Sequence, residues 1–160
     1  MNHLLTDTIH QRLAEHEAVL VTVERTEGSA PREAGTRMVV FAGEVFGTIG
    51  GGQLEFQAIA QAREQLGAGS DEPVVRRYPL GPSLGQCCGG VVWLRLERLR
   101  TQDREQLAAR LLPPLAPVAL FGGGHVGRAL VQVLATLPYA ITWIDSRDEI
   151  FPEALPPQVR

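Results

Sequence analysis

Val118-Ala119-Leu120-Phe121-Gly122-Gly123-Gly124-His125-Val126-Gly127 decides the architecture of the C-terminal part of this chain. Four apolar residues running into a glycine cluster read as a buried strand, and the apolar spacing from Val126 to Leu137 reads as a helix. Ile141-Thr142-Trp143-Ile144-Asp145 follows as a second strand, after which Pro152, Pro156 and Pro157 are expected to end regular structure. Gly122, Gly124 and Gly127 fit G-x-G-x-x-G between strand and helix, and Asp145 closes the next strand about 20 positions on, which is the context of a dinucleotide-binding βαβ unit. Glycines there permit the turn and let backbone approach a phosphate, while free N–H groups and the dipole at the helix start favour an anion. Asp145 suits the vicinal hydroxyls of a ribose and Arg147 suits a phosphate, and the spacing leaves both open. His125, at the same mouth, either donates to a phosphate or is a solvated loop histidine. Without a ligand, the same residues make a tight βα turn.

A single βαβ unit leaves a sheet face and both edges exposed, which parallel sheets do not tolerate, so the C-terminal part reads as a truncated Rossmann-like domain or one completed by another chain. The punctuated run Pro113-Pro114-Leu115-Ala116-Pro117 sets its boundary, giving a first domain over residues 1–112 and the start of a second over residues 113–160. Upstream, Leu4 to Glu17 has near-helical apolar spacing and Ala18 to Val23 reads as a strand. The turn-rich Glu27 to Gly35 leads to a strand at Arg37 to Phe41, and Ala42-Gly43-Glu44 returns it as a hairpin through Val45 to Ile49. Gly50-Gly51-Gly52 opens into a helix over Gln53 to Leu66. Strands at Val74 to Tyr78 and Val91 to Glu97 and a polar helix at Thr101 to Leu112 complete the first domain. The fold class is therefore α/β: an N-terminal mixed α+β domain followed by a partial Rossmann-like βαβ domain.

Composition narrows the function. Of 160 residues, 44% are hydrophobic and 21% charged, which is globular usage. All 15 basic residues are arginine and the net charge is -3, so no basic block is present to neutralise a run of phosphates, and nucleic acid is not an expected partner. Without lysine, Schiff-base chemistry and a Walker-type phosphate loop are both excluded. Leu111 to Gly124 is the longest uncharged stretch, and its prolines and glycines rule out a bilayer-spanning helix, so no membrane association is expected. Met1 to Asp7 carries no basic and apolar leader pattern, which makes the cytoplasm the expected location.

Two further segments carry chemistry. Gly50-Gly51-Gly52, ahead of its helix, is either a second anion cradle or simply the glycine a tight turn requires, and Arg32 and Arg37 flank the preceding loop as candidate anion ligands or solvated charges. Gln86-Cys87-Cys88-Gly89-Gly90 holds both cysteines of the chain in a glycine-rich loop, where access and backbone N–H groups lower a thiol pKa. Adjacent cysteines cannot close an ordinary disulfide loop, and two thiols without a nearby histidine or second pair do not complete a zinc site. A persulfide carrier, a redox thiol, a soft-metal ligand and a buried small hydrophobe remain as readings.

Four segments in order, Gly28-Ser29-Ala30-Pro31-Arg32-Glu33-Ala34-Gly35, Gly47 to Glu55, Gly85 to Gly90, and Phe121 to Gly127 with Ile144-Asp145-Ser146-Arg147, resemble the xanthine dehydrogenase accessory protein family, XdhC/CoxI. The doubled cysteine before Gly89 resembles the XdhC branch, since CoxI relatives typically show one. The resemblance implies a cofactor chaperone rather than a turnover enzyme. Such a protein binds molybdenum cofactor (molybdopterin), aids its sulfuration with a cysteine desulfurase, and delivers it to the molybdenum subunit of xanthine dehydrogenase. It also implies a Rossmann-like domain longer than the one βαβ unit seen here, while the open sheet of that unit, apart from any resemblance, makes a homo-oligomer the expectation. Under it, Gly122, Gly124, His125, Gly127, Asp145, Gly50, Gly51, Gly52 and Arg32 are cofactor-binding candidates, and Cys88 and Cys87 handle sulfur or molybdenum. An NAD(P)-dependent oxidoreductase using the same glycine loop is the alternative, though no hydride-transfer acid or base is evident.

Overall fold

The computed structural model describes residues 3–81, 89–112 and 115–160, so Cys87 and Cys88 lie outside the described residues. The chain divides into two compact units, His3–Leu111 and Leu112–Arg160.

The first unit is built on a five-stranded antiparallel sheet in the order β3-β2-β1-β5-β4, with β1 at Ala18–Glu27, β2 at Arg37–Val40, β3 at Val45–Gly47, β4 at Val74–Pro79 and β5 at Val91–Leu99. Alternation along the central strands sorts the faces. Val19, Val21 and Val23 of β1, with Val92, Leu94 and Leu96 of β5, pack under helix α2 (Gly52–Ala68), which contributes Leu54, Ala58 and Ala62 at i, i+4 and i+8. Ala18, Leu20, Val39 and Leu99 turn to the opposite face, where Ile9 and Leu13 from α1 (His3–Arg12) and its following turn, and Leu107 and Leu111 from α3 (Arg104–Leu111), cover them. Each fully buried leucine contributes about 2 kcal/mol, so the two-sided core is where this unit's stability resides. The first helix ends earlier than the periodicity suggests, because Ala14 N bonds back three residues to Gln11 and the turn tightens. A bulge between Val23 and Arg25 carries β1 on to Glu27, four residues past the expected end.

The second unit is a parallel pair, β6 (Ala116–Phe121) and β7 (Tyr139–Ile144), joined by α4 (His125–Leu134). Val131 of α4 packs on Ile141 and Trp143, and Phe151 meets the Trp143 ring edge-on at 5.2 Å. Regular structure ends at the prolines as expected, since no helix or strand follows Ile150 among the described residues, but one isolated bridge does. Pairing does not stop at Pro152: Val159 N bonds Pro156 O, the Pro156-Pro157 turn brings the chain back, and residues 158–160 run parallel to β7 through Ile141 N to Gln158 O and Trp143 N to Arg160 O. Val159 thereby enters the small core. The other sheet face stays open, and Phe121 and Ile144, opposite each other in register, are exposed.

Candidate functional site

Each unit carries one glycine-built constellation. In the first, three segments far apart in sequence meet because their glycines lack side chains. A Cβ on Gly90 would lie 2.3 Å from Ser29 O and 2.5 Å from Glu27 O, and Gly90 N donates to Ser29 O at 3.1 Å. Gly50, at φ +119°, lies under Pro31, whose Cβ would be 2.6 Å from an added methyl. The Gly28 to Gly35 loop is thus wedged between the start of α2 and Gly89-Gly90, where the Cys87-Cys88 segment ends.

Inside the Gly50-Gly51-Gly52 cradle sits the chain's own carboxylate. Glu55 Oε2 accepts from Thr48 Oγ1 at 2.5 Å, Ile49 N at 3.0 Å and Gly51 N at 3.1 Å. Sequence reading passed over Glu55 as a site residue; the signal for it was an acidic residue in the first turn of a helix that opens on three glycines. Burial raises its pKa, but the Thr48 hydroxyl, the two backbone N–H groups and the Arg32 charge outweigh burial and hold it below the ordinary glutamate value. Arg32 is exposed and acts on Glu55 through its charge. Because the folded pKa is depressed, the stabilisation is present above the unfolded value and is lost as pH falls through the folded one. Glu55 is therefore expected to titrate below the ordinary glutamate value in carboxyl NMR, and Glu55→Gln is expected to remove that acid-sensitive step from the unfolding profile.

In the second unit the three motif glycines divide the work. Gly122, at φ +101°, makes the turn, and its carbonyl accepts Trp143 Nε1 at 3.0 Å. Gly127 lets α4 approach the strand, since a Cβ there would fall 1.9 Å from Gly122 O. Gly124 is different: a Cβ would meet nothing within 4 Å. It is the N-cap of α4, no side chain caps this helix start, and His125 beside it is exposed. Open space in front of a helix start is where backbone can approach an anion.

Asp145 secures the turn from β7. Its Oδ2 accepts from Gly123 N at 2.7 Å and Arg147 Nη2 at 3.0 Å, and its Oδ1 accepts from Arg147 N at 3.0 Å and Nε at 2.9 Å. The Arg147 fork, with the Gly123 N–H, holds this carboxyl far below the usual range against the opposing effect of burial. All four acceptor positions of the carboxylate are occupied, so a ribose at this point must displace the exposed Arg147 fork. Among the described residues no group of three or more histidine, cysteine, aspartate or glutamate side chains is gathered to hold a metal ion. No helix of the described residues is long and apolar enough to cross a membrane.

The XdhC and CoxI family model matches residues 12–79, the stretch that contains β1 to β4 and the Pro31, Gly50 and Glu55 constellation. The chain is similar to the molybdenum cofactor insertion chaperone PaoD of Escherichia coli (strain K12), 35% identical over 107 residues, which is 64% of this chain and 33% of that protein. It is 28% identical over 137 residues to the uncharacterized protein YqeB of the same organism, covering 82% of this chain and 23% of YqeB. This chain therefore spans a third or less of these curated relatives. A crystal structure described as a xanthine dehydrogenase from Bacillus halodurans matches with a TM-score of 0.72 at 16% identity, covering 96% of this chain and 66% of that one, and shares its α/β fold.

Proposed function

We propose, from the premise that this chain belongs to the XdhC and CoxI family, that it is a molybdenum cofactor-binding chaperone that aids sulfuration of the cofactor and its insertion into xanthine dehydrogenase. The observation that carries this reading is the open Gly124 cradle. Gly122 is required by its positive φ and Gly127 by its close approach to Gly122 O, whereas a Cβ on Gly124 would meet nothing within 4 Å and no side-chain hydrogen bond caps this helix start among the described residues. An uncapped helix start suits an anion such as the phosphate ester on the pterin. When bound, the cofactor supplies the molybdenum centre that the recipient enzyme uses in redox chemistry.

The chain's own residues then have distinct tasks. Gly124 and the first turn of α4 hold the phosphate, Asp145 fixes the turn through Gly123, and Arg147 and His125 stand at the mouth as cationic or donor groups. Cys88, followed by Gly89-Gly90, handles sulfur or molybdenum, with Cys87 as second ligand or resolving thiol; a cysteine desulfurase is the expected sulfur donor. PaoD, described as an insertion chaperone, supports the cofactor class. The open sheet face bearing Phe121 and Ile144 supports self-association. The two compact units support a division into an N-terminal domain over residues 1–112 and the start of a Rossmann-like domain over residues 113–160.

The test is cofactor retained through gel filtration, read as molybdenum and oxidised-pterin fluorescence per chain. Wild type is expected to retain it, Gly124→Val to lose at least about tenfold in affinity while both units stay folded, and Cys88→Ala to lose more than Cys87→Ala. Equal retention by Gly124→Val and wild type would remove the cradle from the site. Reduced nicotinamide formed in place of pterin binding would favour the oxidoreductase alternative.

A further inference from the structure

The sheet of the first unit is covered on one face by α2, but on the other, among the described residues, α1 and α3 cover the end at Ala18, Leu20, Val39 and Leu99. On the uncovered half, register places Arg25, Trp93 and Arg77 in one row across β1, β5 and β4. Arg37, Thr22 and Arg95 form the neighbouring row across β2, β1 and β5. The guanidinium of Arg25 lies 3.9 Å from the Trp93 ring centroid and that of Arg77 lies 5.7 Å from it, so a half-buried indole has two cations against it before anything binds.

Charge accounting on this face is uneven. Glu27 pairs with Arg25 at 3.3 Å, and Glu24 and Glu97 pair with Arg95 at 3.7 and 3.3 Å. Arg37 and Arg77 have no carboxylate within ion-pairing distance among the described residues. We propose that this half of the sheet is a docking surface for a carboxylate-rich protein segment, seated over Trp93 and paired by Arg37 and Arg77. Tryptophan and arginine are the residue types that carry binding energy at protein interfaces, and an ordered Arg-Trp-Arg row loses little freedom on binding. Glu24, Glu27 and Glu97 are taken up by Arg25 and Arg95, which leaves Arg37 and Arg77 as the two cations on this face for an incoming carboxylate to pair.

The test is an NMR titration of the isotope-labelled chain with a hexaglutamate peptide, followed at the two indole N–H signals. Trp143 serves as an internal control because its Nε1 donates to Gly122 O inside the other unit. The Trp93 signal is expected to shift saturably, the Trp143 signal to stay, and affinity to fall at least about tenfold in the double variant Arg37→Glu, Arg77→Glu. Arg77→Gln alone, on the exposed edge strand β4, is expected to weaken binding about threefold and guards against misfolding of the double variant. No saturable shift, equal movement of both indoles, undiminished binding in the folded variants, or tighter binding of a six-nucleotide single-stranded DNA would each overturn the proposal. Peptide binding and cofactor retention are measured separately, so the loss of one and the loss of the other are distinct results.

Discussion

Gly127→Ala is expected to unfold the unit Leu112–Arg160 while leaving His3–Leu111 intact. On propensity alone alanine favours a helix by about 1 kcal/mol over glycine, so an exposed helical glycine would gain from the change. Gly127 is buried, and its new methyl would sit 1.9 Å from Gly122 O and 3.3 Å from Trp143 Nε1. The obstacle is backbone, so it cannot rotate away; α4 must lift from β6 and break the Trp143 to Gly122 hydrogen bond at 3.0 Å. Overpacking of this kind costs about 3 kcal/mol, and a core made of Val131, Ile141, Trp143 and Val159 has little reserve against it. Near-UV circular dichroism from Trp143 is expected to collapse, with the Trp93 contribution retained. Gly124→Ala, three residues earlier and facing open space, is the matched control and is expected to cost no more than about 1 kcal/mol.

Gly90→Ala is the second large effect, this time in the first unit. The methyl would enter between Ser29 O and Glu27 O at 2.3 and 2.5 Å, both backbone atoms. Relief requires β5 to part from the Gly28 loop, which breaks Gly90 N to Ser29 O and disturbs Leu80 N to Gly90 O at 2.8 Å. The expected loss is about 3 kcal/mol, seen as a lower urea midpoint with the slope unchanged. Under the proposed function, cofactor retention should fall further than stability does, because Gly89-Gly90 anchors one end of the cysteine segment. A Gly90→Ala protein with wild-type midpoint would show that this contact is not tight.

What was legible in the sequence follows from range. The βαβ unit was readable from a local pattern, since strand, glycines, helix and Asp145 lie within about 30 residues and one periodicity change marks each element. The antiparallel strands of the first unit were legible one by one, but their order β3-β2-β1-β5-β4 was not, because it depends on pairing β1 with β5 across the whole unit. The convergence of Gly28, Gly50 and Gly90 was likewise invisible: the glycines stood out, while the partners they make room for, Pro31, Ser29 and Glu27, are ordinary residues. Glu55 was missed for a related reason. A carboxylate in a first helical turn has a local explanation, and only the fold shows that Thr48, Ile49 and Gly51 all point at it. The return of the chain at Val159 was hidden by prolines, which mark the end of one element but also the turn into the next.

Transfer of molybdenum cofactor to a recipient enzyme is the deciding measurement for the proposed delivery. The protein loaded with cofactor, freed of excess by gel filtration, is mixed with cofactor-free xanthine dehydrogenase, and xanthine oxidation is followed against an equal amount of free cofactor. The account predicts that the loaded protein activates the enzyme faster and to a higher level than free cofactor does, with Gly124→Val and Cys88→Ala both failing to do so. Activation no better than that by free cofactor, or undiminished in both variants, would contradict it.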